Sequence, residues 1–415
     1  MKIGILTYHR SYNYGAFIQC YSLTQRLMQE YPDAEIEVID YITERMFQNY
    51  PTGVLAYVLG PKKQKRSLKM IIKSIGRLCL NPMYLKRKKK LYKEFNSDIK
   101  YLPLSDYQII SNDATELFER IKDKYDIVIV GSDAIWEFKI YPFPNAYFMY
   151  GDIGKTRLLS YAASSDRMHI SELSKEQCDL LKNTWKKFYY LGIRDVATEN
   201  LMNSISSDLK HYHNCDPTVF IDLSKMPKGL NRIIKKLKEN KIDFDKPIIG
   251  VMGGDEICIP LRRELGKEYQ IVCFYEYSKA ADYYIDDLSP IEWTQVFSLF
   301  SVTVTRFFHG SLLSLKNGTP TVATDFWYRV NKDHITKIED LYIRLDLENH
   351  YINMRDTQNA WKIVREKIDY YMKNPDTEAI YSALEKESHY FDSFKEQLNT
   401  CIRDISGLID SNYEE

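Results

Sequence analysis

Short apolar runs alternate with stretches of helical periodicity over most of the 415 residues. Ile3–Thr7, Ile36–Asp40, Asp126–Val130, Leu158–Ala162, Tyr189–Ile193 and Pro217–Ile221 read as strands. Most lack clean polar alternation, as expected of parallel strands covered on both faces. Between the first two, Ala16, Phe17, Cys20, Leu23, Leu27 and Met28 recur at helical spacing and predict a βαβ opening. After a polar, helical linker over Asp222–Lys246, a second series runs through Pro247–Met252, Gln270–Phe274, Val302–Thr305 and Thr321–Thr324. The pattern predicts two doubly wound, Rossmann-like α/β domains facing a cleft, over residues 1–225 and 245–346. Strand signals stop near Leu347. Asp356–Lys373 and Thr377–Ile409 then predict C-terminal helices over 347–415, packing outside or bridging back to the first half.

One segment breaks the pattern. Residues 61–90 hold twelve of the chain's 57 Lys and Arg and no acid. Leu68, Ile71, Ile72, Ile75, Leu78 and Cys79 fall on one helical face, with Lys65, Arg66, Lys69, Lys73 and Arg77 largely on the other. A basic amphipathic helix of this kind can lie on an anionic membrane surface, or pack on the first domain with its charges solvated.

Lys+Arg and Asp+Glu are equal at 57, so global charge selects no polyanionic partner, and nucleic acid is not expected. The seven cysteines, at 20, 79, 178, 215, 258, 273 and 401, show no zinc spacing and fit buried thiols in a reducing compartment. MKIGILTYHR at the N-terminus has too few apolar residues for a signal peptide and fits a first strand. A cytoplasmic protein is expected, with the basic helix a candidate for peripheral contact at the inner membrane face. Neither a metal nor a cofactor is called for by any motif.

Candidate chemistry sits where strands end. In Thr305–Gly318, TRFFHGSLLSLKNG, Arg306, His309 and Gly310 fall on a turn before a helix opening at Ser311. Unpaired N–H groups and the helix dipole favour an anion there; histidine can move a proton and arginine can clamp a carboxylate or phosphate. Alternatively His309 caps the helix and Arg306 is a surface charge. Asn13-Tyr14-Gly15 follows the first strand, with Gly15 allowing close backbone approach and Asn13 binding a hydroxyl or capping a helix. Ser132 and Asp133 follow Ile127–Val130, where Asp133 would face the crevice as a base or cap the next helix. Arg194 after Tyr189–Ile193 is a fork for a carboxylate or one half of an ion pair. Gly253-Gly254 after Pro247–Met252 cradles an anion or makes a tight turn.

Together these pieces resemble the polysaccharide pyruvyl transferase family. The resemblance rests on NYGAFIQCYSL at 13–23, VIDY at 38–41, IVGSDAIWEF at 129–138, SYAASSD at 160–166, IRD at 193–195, DPTVF at 216–220 and FFHGSLLSLKNGTPTVA at 307–323, in the family's order. It implies a two-domain fold like that of GT-B glycosyltransferases. It also implies transfer of pyruvate from phosphoenolpyruvate onto two sugar hydroxyls of a glycan or lipid-linked glycan precursor, as a cyclic ketal with release of phosphate. The donor then sits against the C-terminal half, with His309 as the candidate acid and Arg194, Arg306, Gly310, Ser311, Gly253 and Gly254 around it. Asp133 is the candidate base for the attacking hydroxyl, and Asn13, Tyr14, Gly15 and Ser132 lie on the acceptor side. Two departures stand out. Some relatives carry an arginine two residues before the histidine, where this chain has Phe307, and Ala134 replaces a glutamine that often follows GSD. The alternatives are a GT-B glycosyltransferase using a nucleotide sugar, or a non-catalytic glycan- or anion-binding protein on the same scaffold.

Overall fold

The computed structural model describes residues 1–44, 46, 58, 68–80, 82–137, 143–166, 168–327 and 335–411. Lys62, Lys63, Lys65 and Arg66 of the basic segment lie outside the described residues. Among the described residues, thirteen strands form two parallel sheets. The first is ordered β3-β2-β1-β4-β5-β6-β7, built from Lys2–Leu6, Glu35–Ile42, Leu104–Ile110, Ile127–Val130, Arg157–Ala163, Tyr190–Ile193 and Tyr212–His213 in chain order. The second is ordered β10-β9-β8-β11-β12-β13, from Ile248–Met252 (β8), Gln270–Phe274 (β9), Tyr283–Ile285 (β10), Val302–Thr305 (β11), Thr321–Asp325 (β12) and Tyr351–Asn353 (β13). Strand order reverses between β1 and β4 and again between β8 and β11. Crevices for ligands open at these switch points, beyond the carboxyl ends of the strands.

The apolar runs explain the sheets. All four residues of β4, Ile127-Val128-Ile129-Val130, are fully buried, and β8 and β11 are buried along their whole lengths. Strands covered on both faces need no alternation.

Four strands escaped the sequence pattern. β3, LSDYQII, and β10, YYI, are edge strands, the first with exposed positions and the second only three residues long, so their apolar signal is diluted. β7 has two residues and β13 three, below any periodicity. β13 also corrects the boundary at Leu347, because the second sheet extends to Asn353. Pro217–Ile221 is not a strand. Pro217–Phe220 forms a 3-10 turn, with Asp216 capping the N–H of Thr218, because proline cannot donate to a ladder. The single helix expected over Thr377–Ile409 is two, Thr377–Ser388 and Asp392–Ser411, separated by a 3-10 turn at His389–Phe391.

The last helix returns to the first domain. Tyr31 donates to Asn399 at 2.9 Å, Tyr189 donates to Asp404 at 2.8 Å, and Phe394 is fully buried against Tyr161 with ring centroids 4.8 Å apart. Burying one such phenylalanine contributes about 1.5–3 kcal/mol, so this brace ties the chain's end to the first sheet. On the other side of the cleft, Lys228 pairs with the buried Asp98, whose second oxygen accepts from the N–H of Ile291 at 2.9 Å. The two domains are thereby coupled through the linker.

Candidate active site

The carboxyl ends of both sheets face one cavity of about 250 Å³. Asn13, Gly15, Asp133 and Arg194 line it from the first domain, and Arg306 and His309 from the second. Six sequence candidates scattered over nearly 300 positions thus converge on one space.

Asn13 sits between β1 and the helix Tyr14–Glu30, its side chain accepting from the N–H of Gly15 at 3.0 Å. It is therefore a helix cap and also borders the cavity. The loop before it is held by the buried Asp40, which accepts from Arg10 Nη2 at 2.6 Å and pairs with His9 at 3.0 Å. Gly15 packs against the opposite domain: a Cβ built on it would lie 1.9 Å from Cδ2 of His309. Tyr14 is buried and donates to the carbonyl of Leu288 across the domain boundary at 2.5 Å, so it joins domains rather than lining the cavity.

Ser132 is fully buried, with its N–H and hydroxyl both donating to Gln19 Oε1 at 3.1 and 2.8 Å. Its role is to pin the turn. The next residue, Asp133, has φ 80, a left-handed conformation that costs a non-glycine residue energy and is retained where surrounding bonds over-determine it. That turn puts the Asp133 carboxylate in the cavity, 3.6 Å from Arg194 Nη2.

Arg194 is the charge centre. It is 2% exposed, donates to Asp216 Oδ2 at 2.7 Å, and lies over the ring of Phe308 at 4.7 Å. Burial disfavours its charge, yet Asp216, Asp133 and Asp195 more than offset that and raise its pKa above the ordinary arginine value. Its backbone carbonyl accepts from Arg344 of the second domain.

Asp216, which carries no assigned role in the sequence reading, is the hub. It is 1% exposed, with one oxygen toward Arg194 and the other 4.0 Å from His309 Nδ1. Burial acts to raise its pKa, but His309, Arg194 and the Thr218 N–H prevail and hold it below the usual carboxylate range. The available signal was its place in Asp216-Pro217, an acidic residue before a proline, which suits the cap of a helical turn.

His309 does not cap the helix. The helix begins at Phe308, with Phe307 as the N-cap residue and no side chain capping it, so His309 and Gly310 belong to its first turn rather than to a preceding loop. The uncapped turn leaves N–H groups for an anion. The N–H of Ser311 is already bonded to the Phe307 carbonyl at 2.9 Å, and Gly310 is wedged where a Cβ would meet Met252 Sδ at 2.5 Å. Burial pushes the His309 imidazole below its ordinary pKa, only partly offset by Asp216 and Asp133. Burial thus favours the neutral imidazole, and the carboxylates of Asp216 and Asp133 favour the charged one.

Arg306 borders the cavity, but its charge is engaged. It donates to Glu256 at 2.8 Å, pairs with Glu276 at 3.2 Å, and lies over Phe307 at 4.5 Å. Gly253 and Gly254 do not line the cavity; the N–H of Gly254 donates to Glu256 Oε1 at 3.1 Å, so the loop's own carboxylate fills that turn. Sequence reasoning missed Asp166, Lys337 and Trp327, which also line the cavity. Lys337 pairs with Asp166 across the cleft at 3.0 Å, and Trp327, just past β12, is 51% exposed. Asp166 ends the motif SYAASSD, but nothing there assigns it to the site, and Lys337 and Trp327 stand in no motif, because each role depends on the opposite domain.

Residues 13–326 match the model of a family described as polysaccharide pyruvyl transferase. The chain belongs to that family. None of the curated proteins matches it. Among solved structures, it is similar to HepE of Anabaena in complex with UDP, at 10% identity over 99% of this chain and 100% of that one, with a TM-score of 0.50. It is also similar to the UDP-GlcNAc 2-epimerase of Neisseria meningitidis bound to UDP-GlcNAc, at 12% identity over 96% and 100%, with a TM-score of 0.52. These likenesses establish the fold of this pyruvyl transferase family member, two Rossmann-like domains in the GT-B arrangement with added C-terminal helices. Among the described residues no helix is long and apolar enough to cross a membrane.

Proposed function

We propose that the protein transfers the enolpyruvyl group of phosphoenolpyruvate onto two hydroxyls of a sugar in a glycan or lipid-linked glycan precursor, forming a pyruvate ketal. The observation that carries the reading is the grouping of His309 and Arg194 about Asp216, beside an uncapped helix start and opposite Asp133. A donor bearing a carboxylate and a phosphate needs cationic and N–H contacts of this kind.

Protonation of the donor's methylene carbon turns it into a methyl group and leaves an oxocarbenium-like centre. One sugar hydroxyl attacks that carbon, giving up its proton to Asp133. The carbon–oxygen bond to phosphate then breaks, the second hydroxyl closes the ketal, and its proton leaves with phosphate. His309 is the acid for the first step. Its lowered pKa in the empty site is no obstacle, since an approaching phosphate dianion favours the imidazolium. Asp216 holds the ring and the Arg194 fork in register. No step calls for a metal.

The test incubates the protein with phosphoenolpyruvate and candidate glycans, following phosphate release and the ketal methyl signal by NMR. Nucleotide sugars run in parallel; nucleoside diphosphate release there, with none of the ketal, would assign the glycosyltransferase alternative. Binding of glycan or phosphoenolpyruvate without turnover would assign the non-catalytic one.

A further inference from the structure

The helix Leu68–Leu80 has no part in the cavity, and its surface is inverted relative to an ordinary packed helix. Leu68, Ile72, Ile75 and Cys79 form one narrow stripe at helical spacing. That stripe faces outward: Leu68 is 72% exposed, Ile72 62% and Ile75 47%, and Cys79 is exposed as well. Ser74 is buried and Ile71 and Leu78 half-buried, and the helix packs on the next one, Tyr84–Asp98. The apolar face is thus wider than its protein partner covers. On its other flank Lys69 and Lys73 are exposed and form no ion pair among the described residues. Exposed Met83, Lys86 and Lys89 continue the same mixed character.

Charge selects the occupant. A second copy of this chain would bring the same segment, with twelve cations and no acid over 61–90, against itself, and like charges would oppose the apolar contact. An anionic lipid surface satisfies both features at once: the stripe enters the headgroup–acyl boundary and the bordering lysines meet phosphates. We propose that the helix Leu68–Leu80 docks the protein on an anionic phospholipid bilayer. The supporting helix also reaches the cleft. Its Lys88 lies 5.4 Å from the ring centroid of Tyr12, next to Asn13 of the cavity, and its Lys90 pairs with Asp286 of the second domain at 2.6 Å. The docking helix is thus joined, through the helix it packs on, to both walls of the cleft. The docking proposal stands apart from the identity of the donor.

The test is co-sedimentation of the full chain with phosphatidylcholine vesicles, with and without phosphatidylglycerol. Binding is expected on the anionic vesicles, weakening as salt rises, and at least about tenfold weaker on phosphatidylcholine alone. Ile72→Glu with Ile75→Glu should abolish it, and Lys69→Glu with Lys73→Glu should weaken it. All four side chains are solvent-facing, so unchanged thermal unfolding verifies that each variant is folded. Wild-type protein that stays free of anionic vesicles, or a double glutamate variant that binds as well as wild type, overturns the proposal. So does concentration-dependent dimerisation that the Ile72→Glu/Ile75→Glu change removes, which would assign the stripe to a second copy.

Discussion

Gly15 of the first domain lies against the imidazole of His309 in the second, so closely that a Cβ on Gly15 would come within 1.9 Å of the His309 Cδ2. The contact explains a glycine at the start of a helix, where alanine has the better propensity. Gly15→Ala should therefore displace His309 or part the domains locally. A shift of about 1 Å at a catalytic group can cost on the order of 100-fold in rate. Turnover measured alongside thermal unfolding checks this; a Gly15→Ala protein with wild-type turnover would show that His309 does not need this position.

Asp216 is the shared partner of Arg194 and His309, and removing it leaves a buried guanidinium without its closest carboxylate. Loss of one member of a buried pair costs about 3–5 kcal/mol. Asp216→Asn should be milder in stability than Asp216→Ala, because it keeps an acceptor for the Thr218 N–H, yet should lower kcat strongly. Denaturant unfolding together with phosphate-release kinetics separates the two effects. Equal, wild-type kcat in both variants would remove Asp216 from the mechanism.

The two cavity arginines should differ. Arg194 has three carboxylates around it but sits at the hub with Asp216 and His309, whereas Arg306 is held by Glu256 and Glu276. Arg194→Ala is expected to abolish turnover. Arg306→Ala should raise the donor KM by less than about tenfold, consistent with the small worth of a partly exposed ion pair. An inactive Arg306→Ala with an active Arg194→Ala would reverse the assignment.

Acid should destabilise the protein in a predictable window. Burial, with Arg344 and His211 nearby, lowers the pKa of His213 to about 3, and burial also lowers His309 and His350. These groups take up protons less readily when folded than when unfolded, where they titrate near the ordinary histidine value of about 6.5. Their stability contribution is present above that value and is lost as pH falls toward the folded values. Asp340 acts in the opposite sense: burial raises it to about 6, so its contribution is full below the ordinary aspartate value and fades as pH rises through 6. With three histidines against one aspartate, the melting temperature should fall between pH 6.5 and 4. His213→Gln should flatten the slope, and an unchanged slope would exclude His213 as a source.

Trp327 exposes half its surface in the wall of a cavity read as a sugar site. An indole offers a flat apolar face for a sugar ring. Trp327→Ala is expected to raise the acceptor KM about tenfold with kcat retained. A selective fall in kcat instead would place Trp327 among the groups acting in the transition state.

Much of this was legible in the residues, and for particular reasons. The runs IVIV at 127–130 and IIGVM at 248–252 announce doubly covered strands because no polar side chain interrupts them. Asn13, Asp133, Arg194 and His309 were legible because strand-end positions in a parallel sheet face the crevice, whatever the rest of the chain does. β7 and β13 were not, since strands of two or three residues carry no period and form only where a neighbouring strand offers its edge. The basic amphipathic helix was visible as a pattern of charge and apolar residues. Which half of its apolar face would be covered was not visible.

The longer strands, the two-domain plan and the chemical types of the candidate residues follow from local rules, periodicity and chain connection, that act within a few tens of residues. The order of strands within each sheet came only from the tertiary structure. The hub at Asp216, the engagement of Arg306 by two glutamates and the lowered pKa of His309 do not follow from such rules either. They arise from carboxylates, backbone and apolar walls supplied by segments far away in the chain, because burial and charge are properties of the folded neighbourhood and not of the residue. The same holds for Gly15. Its need to be glycine is a contact with residue 309, and only the closing of one domain against the other creates it.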